Sequence, residues 1–183
     1  MKNREEKSVS VYEKCPVYES ENFVLRLVCT DDAADLLACY KHPTVSVAAN
    51  GAGCNYGYGS QTAAEMRAFI ARWLEEYQNR WFVRFSIVDK QTNKAVGTVE
   101  VMDSGILPVH LMLDLEARYE NEECLSELIA VFDSFFVDFK CAQIIIVTTP
   151  EADCRLKALT EKGYAPYPKC DAWPYENCYI KRR

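Results

Sequence analysis

Two carboxylates and a histidine sit in runs whose alternation makes strands. Glu100 lies in "TVEV" and Asp114 in "LDL". His110 shares the face of Asp114, because residues two and four apart on a strand point the same way. A carboxylate or imidazole fixed on a strand within hydrogen-bond reach of a reacting proton is a general base, and on an edge strand facing water it is only a solvated group. The next concentration of charge is "ARYENEECLSEL", Ala117 to Leu128, with glutamates at 120, 122, 123 and 127 and no glycine. It joins an alternating apolar run, 106–116, to a helical one. Such strand-to-helix junctions bind anions on backbone N–H groups, which favours glycines and few acids. This junction is acidic instead.

A carboxylate about 6 Å from a phosphate charge costs about 0.7 kcal/mol in water and about 3 kcal/mol at an effective dielectric of about 20. A micromolar ligand needs about 8 kcal/mol in all, so two or three unpaired glutamates here could erase much of its binding. Neighbouring helical residues diverge by about 100°, however, so Glu122 and Glu123 can face solvent. Helix stability also accounts for the pattern: Asn121 is a good N-cap, and Glu122 and Glu123 complement the dipole of the first turn. Cys124 sits in that turn, where a thiol can become reactive, but the neighbouring glutamates oppose the effect.

The formal charge of −6 argues against nucleic acid and against anionic lipid as partners. No apolar run reaches the roughly 18–20 residues a membrane span requires, and the N-terminus lacks a signal-peptide core. A cytoplasmic protein is expected. Nine cysteines occur with only two histidines and no CxxC pair, which suggests neither a metal site nor a disulfide framework.

The elements that would position these groups follow from the pattern. "NFVLRLVCT" (22–30) alternates as a strand, and "DDAADLLACYKH" (31–42) carries helical spacing up to Pro43. "AANGAGCNYGYGSQ" (48–61) holds four of the seven glycines and fits neither common phosphate-loop pattern, so it reads as a loop beside a binding cleft. Thr62 and Glu65 form a capping box for a helix with Met66, Phe69, Ile70, Trp73, Leu74 and Tyr77 as its core stripe. Residues 81–103 make a hairpin turning at "DKQTNK", and 106–116 a third strand. A helix over 122–139, the buried strand "QIIIVTT" and a helix over 151–163 capped by Gly163 come next. The tail ends in "NCYIKR", an edge-strand candidate. The sum is one mixed α/β domain over residues 1–183, with 1–15 as an extension. Its sheet has about six to seven mostly antiparallel strands flanked by about four helices.

This order and these stretches resemble the GNAT acyltransferase superfamily, in particular its ribosomal-protein N-acetyltransferase-like branch. "FVLRLVCTDDAADLLACYKHP", "FSIVDKQTNKAVGTVEV", "LDLEARYENEECLSEL" and "RLKALTEKGY" carry the likeness over roughly 16–181. The resemblance implies acetyl-CoA as co-substrate, its pantetheine arm on backbone groups of a splayed strand at Leu113 and Leu115, with Tyr119 and Ser126 at the following turn. It implies direct attack by a small-molecule or peptide amine, with Glu100 or Asp114 accepting the proton. The likeness also breaks down in places. The family's two turn glycines fall at Asn121 and Glu123, its basic or glutamine position is Glu120, and its Asn and Tyr on the last helix are Ala152 and Leu159. An N-acetyltransferase and a catalytically inactive binding or interaction module on the same fold both remain open. The aromatic tail "DAWPYENCYI" suits covering a sheet edge or pairing with a second copy as a homodimer.

Overall fold

The computed structural model describes residues 9–41, 60–103, 108–149, 152–167 and 177–183. The glycine- and tyrosine-rich loop, apart from Ser60 and Gln61, lies outside the described residues, as does most of the aromatic tail. The strands are β1 (Tyr18–Glu19), β2 (Phe23–Leu27), β3 (Phe82–Asp89), β4 (Lys94–Met102), β5 (Val109–Leu115), β6 (Gln143–Val147), β7 (Ala165–Tyr167) and β8 (Cys178–Arg182). The helices are α1 (Ala33–Tyr40), α2 (Ala63–Gln78), α3 (Glu122–Val131), α4 (Phe135–Asp138) and α5 (Asp153–Glu161).

All eight strands form one sheet in the order β1-β2-β3-β4-β5-β6-β8-β7. Every neighbouring pair is antiparallel except β5 and β6. The sheet exceeds the expected strand number through β1 and β7, of two and three residues, too short for alternation to reveal. One expectation is corrected. "NCYIKR" is not an edge strand, because β8 pairs with β6 on one side and β7 on the other. The edge is β7, where Pro166 costs no ladder bond.

Alternation divides the sheet into two faces. Phe85, Val99, Val101, Leu111, Leu113, Leu115, Ile144 and Ile146 face the main core, where each fully buried large side chain contributes about 1.5–3 kcal/mol. That core is closed by Leu125, Leu128 and Ile129 of α3, by Phe132, Phe135, Phe136 and Phe139 in and around α4, and by Leu159 of α5. The helix expected over 122–139 is broken by a 3-10 turn at Phe132–Ser134. Side chains three apart eclipse in such a turn, and the Phe132 and Phe135 rings stack with centroids 5.3 Å apart. The other face is covered by α1 and α2 through Leu36, Cys39, Tyr40, Met66 and Ile70.

The caps are where the residue types require them. Thr62 accepts from the Glu65 N–H and Glu65 returns the bond to the Thr62 N–H, both at 3.2 Å. Gly163 takes φ 84°, and the Tyr164 and Gly163 N–H groups close on Leu159 and Thr160 carbonyls at 2.9 and 3.0 Å, a Schellman motif. Gly97 answers a different need. A Cβ there would fall on the Asp114 carbonyl oxygen and lie 3.0 Å from the Leu115 Cα. Changing Gly97 to Ala should therefore force β4 and β5 apart and cost about 1–3 kcal/mol, read as a lower midpoint in chemical denaturation.

Candidate active site

The face under α1 and α2 becomes polar between β2 and β5. In register, Arg84 opposes Glu100, Ser86 opposes Thr98, and Thr98 opposes Asp114. Arg84 is 4% exposed, and its guanidinium lies over the Trp73 ring of α2, 4.1 Å from the centroid. It pairs directly with Glu100 and lies 3.8 Å from the Asp114 carboxylate. It also donates to the Thr98 hydroxyl at 3.2 Å and to the Tyr40 hydroxyl at 3.3 Å. Tyr40 in turn shares a 2.7 Å bond with Thr98 and donates to Asp114 at 3.3 Å. The two candidate proton acceptors are thus brought together by one buried cation. His110 is on the same face but opposes Met102, about 13 Å along the strand from Asp114 at about 3.3 Å per residue. Burial holds its imidazole below the ordinary value, against a bond with Pro108 that raises it.

A second polar group continues the face. Arg26 makes two bonds to Asp32, at 2.9 and 2.6 Å, and the Ser86 hydroxyl donates to Asp32 at 2.7 Å. Burial pushes the Asp32 carboxyl up, but the bonds from Arg26, the Cys29 N–H and Ser86 outweigh it and hold the group below the usual carboxylate range.

The neighbouring strands part on the other side of β5. β5 and β6 pair only from Val109 with Ile144 to Met112 with Val147. Beyond that no strand among the described residues pairs with the edge of β5 from the Leu113 carbonyl to Leu115, while the Thr148 N–H continues the β6–β8 ladder to the Asn177 carbonyl at 2.9 Å. The side chains of Leu113 and Leu115 are in the core, so only their backbone groups face the split. The Leu113 carbonyl there accepts a 2.8 Å bond from Arg155 of α5. The remaining cavity, lined by Met112, Leu113, Asp114, Val147 and Arg155 among others, has a volume of about 20 Å³, room for about one water molecule.

At the acidic turn, Glu120 pairs with Arg155, and Glu122 accepts from Lys157 at 2.6 Å. The Asn121 side chain caps α3 by accepting from the Cys124 N–H at 3.1 Å, so helix capping accounts for Asn121. Tyr119 points back to the end of β3 and donates to Asp89 at 2.5 Å. Burial, then that carboxylate, pushes its hydroxyl up to about 12. Ser126 lines a groove of about 760 Å³ against the β1–β2 turn, where Glu127 accepts from the Asn22 N–H at 2.6 Å. Leu113 and Leu115 are therefore together at the split, while Tyr119 ties the turn to β3 and Ser126 only lines the groove beside the Asn22–Glu127 contact. Burial raises the Cys124 thiol, and the seven described cysteines are free thiols. Among the described residues no cluster of three or more metal-ligating side chains occurs, and no helix is long and apolar enough to cross a membrane.

Arg84, Tyr40 and Arg155 of this region carry no mark as site residues in the sequence, and Trp73 reads there only as part of the core stripe of its helix. The hairpin offered a signal for Arg84, since a turn at "DKQTNK" pairs residues around 84 with residues around 100. Nothing in the sequence tied Arg155 to Leu113, 42 residues earlier.

No family model matches the chain, and no curated protein sequence does. Solved structures do. A ribosomal-protein-S5-alanine acetyltransferase from Vibrio fischeri superposes with a TM-score of 0.70 at 16% identity, covering 91% of this chain and 96% of that one. A GNAT-family acetyltransferase from Bacillus anthracis gives 0.67 at 16% identity, with 91% and 98% covered. The chain has the GNAT fold. A microcin self-immunity acetyltransferase solved with acetyl-CoA and AMP shares it as well, with a TM-score of 0.67 at 13% identity over 89% and 93% of the two chains.

The polar face carries a pH signature. The folded-state value of Asp32 is depressed, so its contribution is present above the unfolded value of about 3.9 and lost as pH falls through the folded one. Asp32→Asn should cost about 1.5–3 kcal/mol at pH 7, and the gap from the parent should narrow in melts taken below about pH 4.

Proposed function

We propose that this protein is an N-acetyltransferase that uses acetyl-CoA to acetylate a primary amine on a small molecule or a peptide. The observation that carries the reading is the parting of β5 and β6 after Met112 and Val147, which leaves the Leu113 carbonyl on an edge that no strand among the described residues covers. The fit to acetyl-CoA has two sides. The backbone of Leu113 and Leu115 is the kind of polar, extended edge that an amide-bearing pantetheine arm pairs with. With Arg155 at the Leu113 carbonyl, only about 20 Å³ remains there, so the arm fits only once that side chain withdraws. The turn adds no anion cradle of its own.

When bound, acetyl-CoA supplies a thioester acyl group. The rest falls to this chain. Asp114 lines the cavity at the split and also belongs to the polar face, which makes it the proton acceptor in this reading. Tyr40 and Arg84 hold its carboxylate, and Glu100 balances Arg84. Among the described residues of that face, Arg26 and Arg84 meet Asp32, Glu100 and Asp114. The negative balance suits an ammonium group arriving as the acceptor.

A second reading, a GNAT-fold binding or interaction module without catalysis, draws support from Arg155 at the split and from the pairing of both candidate carboxylates with one cation. A thermal-shift titration with acetyl-CoA separates the two. Saturation at about 100 times the dissociation constant adds about 2.7 kcal/mol of stability, and a flat melting curve up to millimolar concentration would remove the transferase reading. With an active amine found, Asp114→Asn should lower thiol release by about a hundredfold or more while leaving the acetyl-CoA melting shift in place.

A further inference from the structure

The side chain of Arg155 bridges the two places a carrier thioester would use. One terminal nitrogen donates to the Leu113 carbonyl at 2.8 Å, and the other pairs with Glu120 of the acidic turn. The guanidinium is buried, with 8% of the side chain exposed against 24% for Glu120. Its Nε finds no acceptor among the described residues, so part of its hydration is given up without return.

The split is not a frayed strand end that happens to be patched. The β5–β6 pairing ends at Met112 with Val147, and the Leu113 carbonyl just beyond it is met by Arg155 of α5 instead. We propose that Arg155, held by Glu120, is a plug that closes the split, and that a carrier enters only when the guanidinium leaves the Leu113 carbonyl. Glu120 sets how readily this happens: it is the more exposed partner and can follow the arginine toward water. The acid that replaces the family's basic or glutamine residue thus becomes a latch. This inference rests on the acetyltransferase reading for the identity of the ligand, and on geometry alone for the closure.

Replacing Arg155 and Glu120 together by Ala tests it. The pair removes one charge of each sign, so a change in affinity reports space and not net charge. Two measurements are made on the full chain: coenzyme A binding by calorimetry, and amide hydrogen exchange at Leu113 and Leu115 without ligand. If the open form is about one molecule in ten or rarer, the double variant binds coenzyme A about tenfold or more tightly than the parent, and both amides exchange faster. Binding by both proteins with equal affinity, or unchanged exchange, overturns the plug; the first leaves the acetyltransferase reading standing. Faster exchange with no coenzyme A binding by either protein upholds the closure and overturns the acetyltransferase reading. Should the double variant fail to fold, Glu120→Gln, which opens no cavity, is expected to change both quantities in the same direction by a smaller amount. No change in it overturns the latch.

Discussion

A strand inside a sheet must satisfy its N–H and C=O groups on both edges, because an unpaired backbone group away from water costs as much as a lost hydrogen bond. β5 meets this requirement unevenly. Along one edge β4 pairs with it from Gly97 to Met102, close enough that Gly97 has no room for a Cβ. Along the other edge β6 pairs for four residue pairs and then departs. The carbonyl left at Leu113 needs a donor, and Arg155 supplies one. Arg155 thereby ties α5 to β5 and, through Glu120, to the turn before α3, and it narrows the cavity between them.

The polar face obeys a related rule. Carboxylates in a low-dielectric interior persist only when paired and hydrogen-bonded. Glu100 and Asp114 stand on adjacent strands and share Arg84, with Tyr40 and Thr98 filling further bonding positions. Trp73 covers the guanidinium from above, which helps shield the cluster from solvent. Packing and chemistry are not separable here: the aromatic that closes the helix onto the sheet also stacks on the charge that organises the carboxylates.

Long periodic elements were legible in the sequence. The alternation of 106–116 put His110, Met112 and Asp114 on one face, and the structure agrees. The capping box at Thr62 and the cap at Asn121 were equally readable. What stayed hidden was non-local. A charged residue such as Arg155 on a short helix carries no mark of a carbonyl 42 residues away, and the 3-10 break at Phe132–Ser134 holds no glycine or proline that would mark it. "NCYIKR" misled because composition tells that a strand forms, not whether another strand joins its far side; the three-residue β7 does.

The two borders of the sheet have a consequence of their own. One is the two-residue β1 and the other the three-residue β7 with Pro166 in the middle. Neither offers a run of unsatisfied donors and acceptors long enough to template a foreign chain. Among the described residues, the two borders of the sheet are therefore poor templates for strand-by-strand polymerisation.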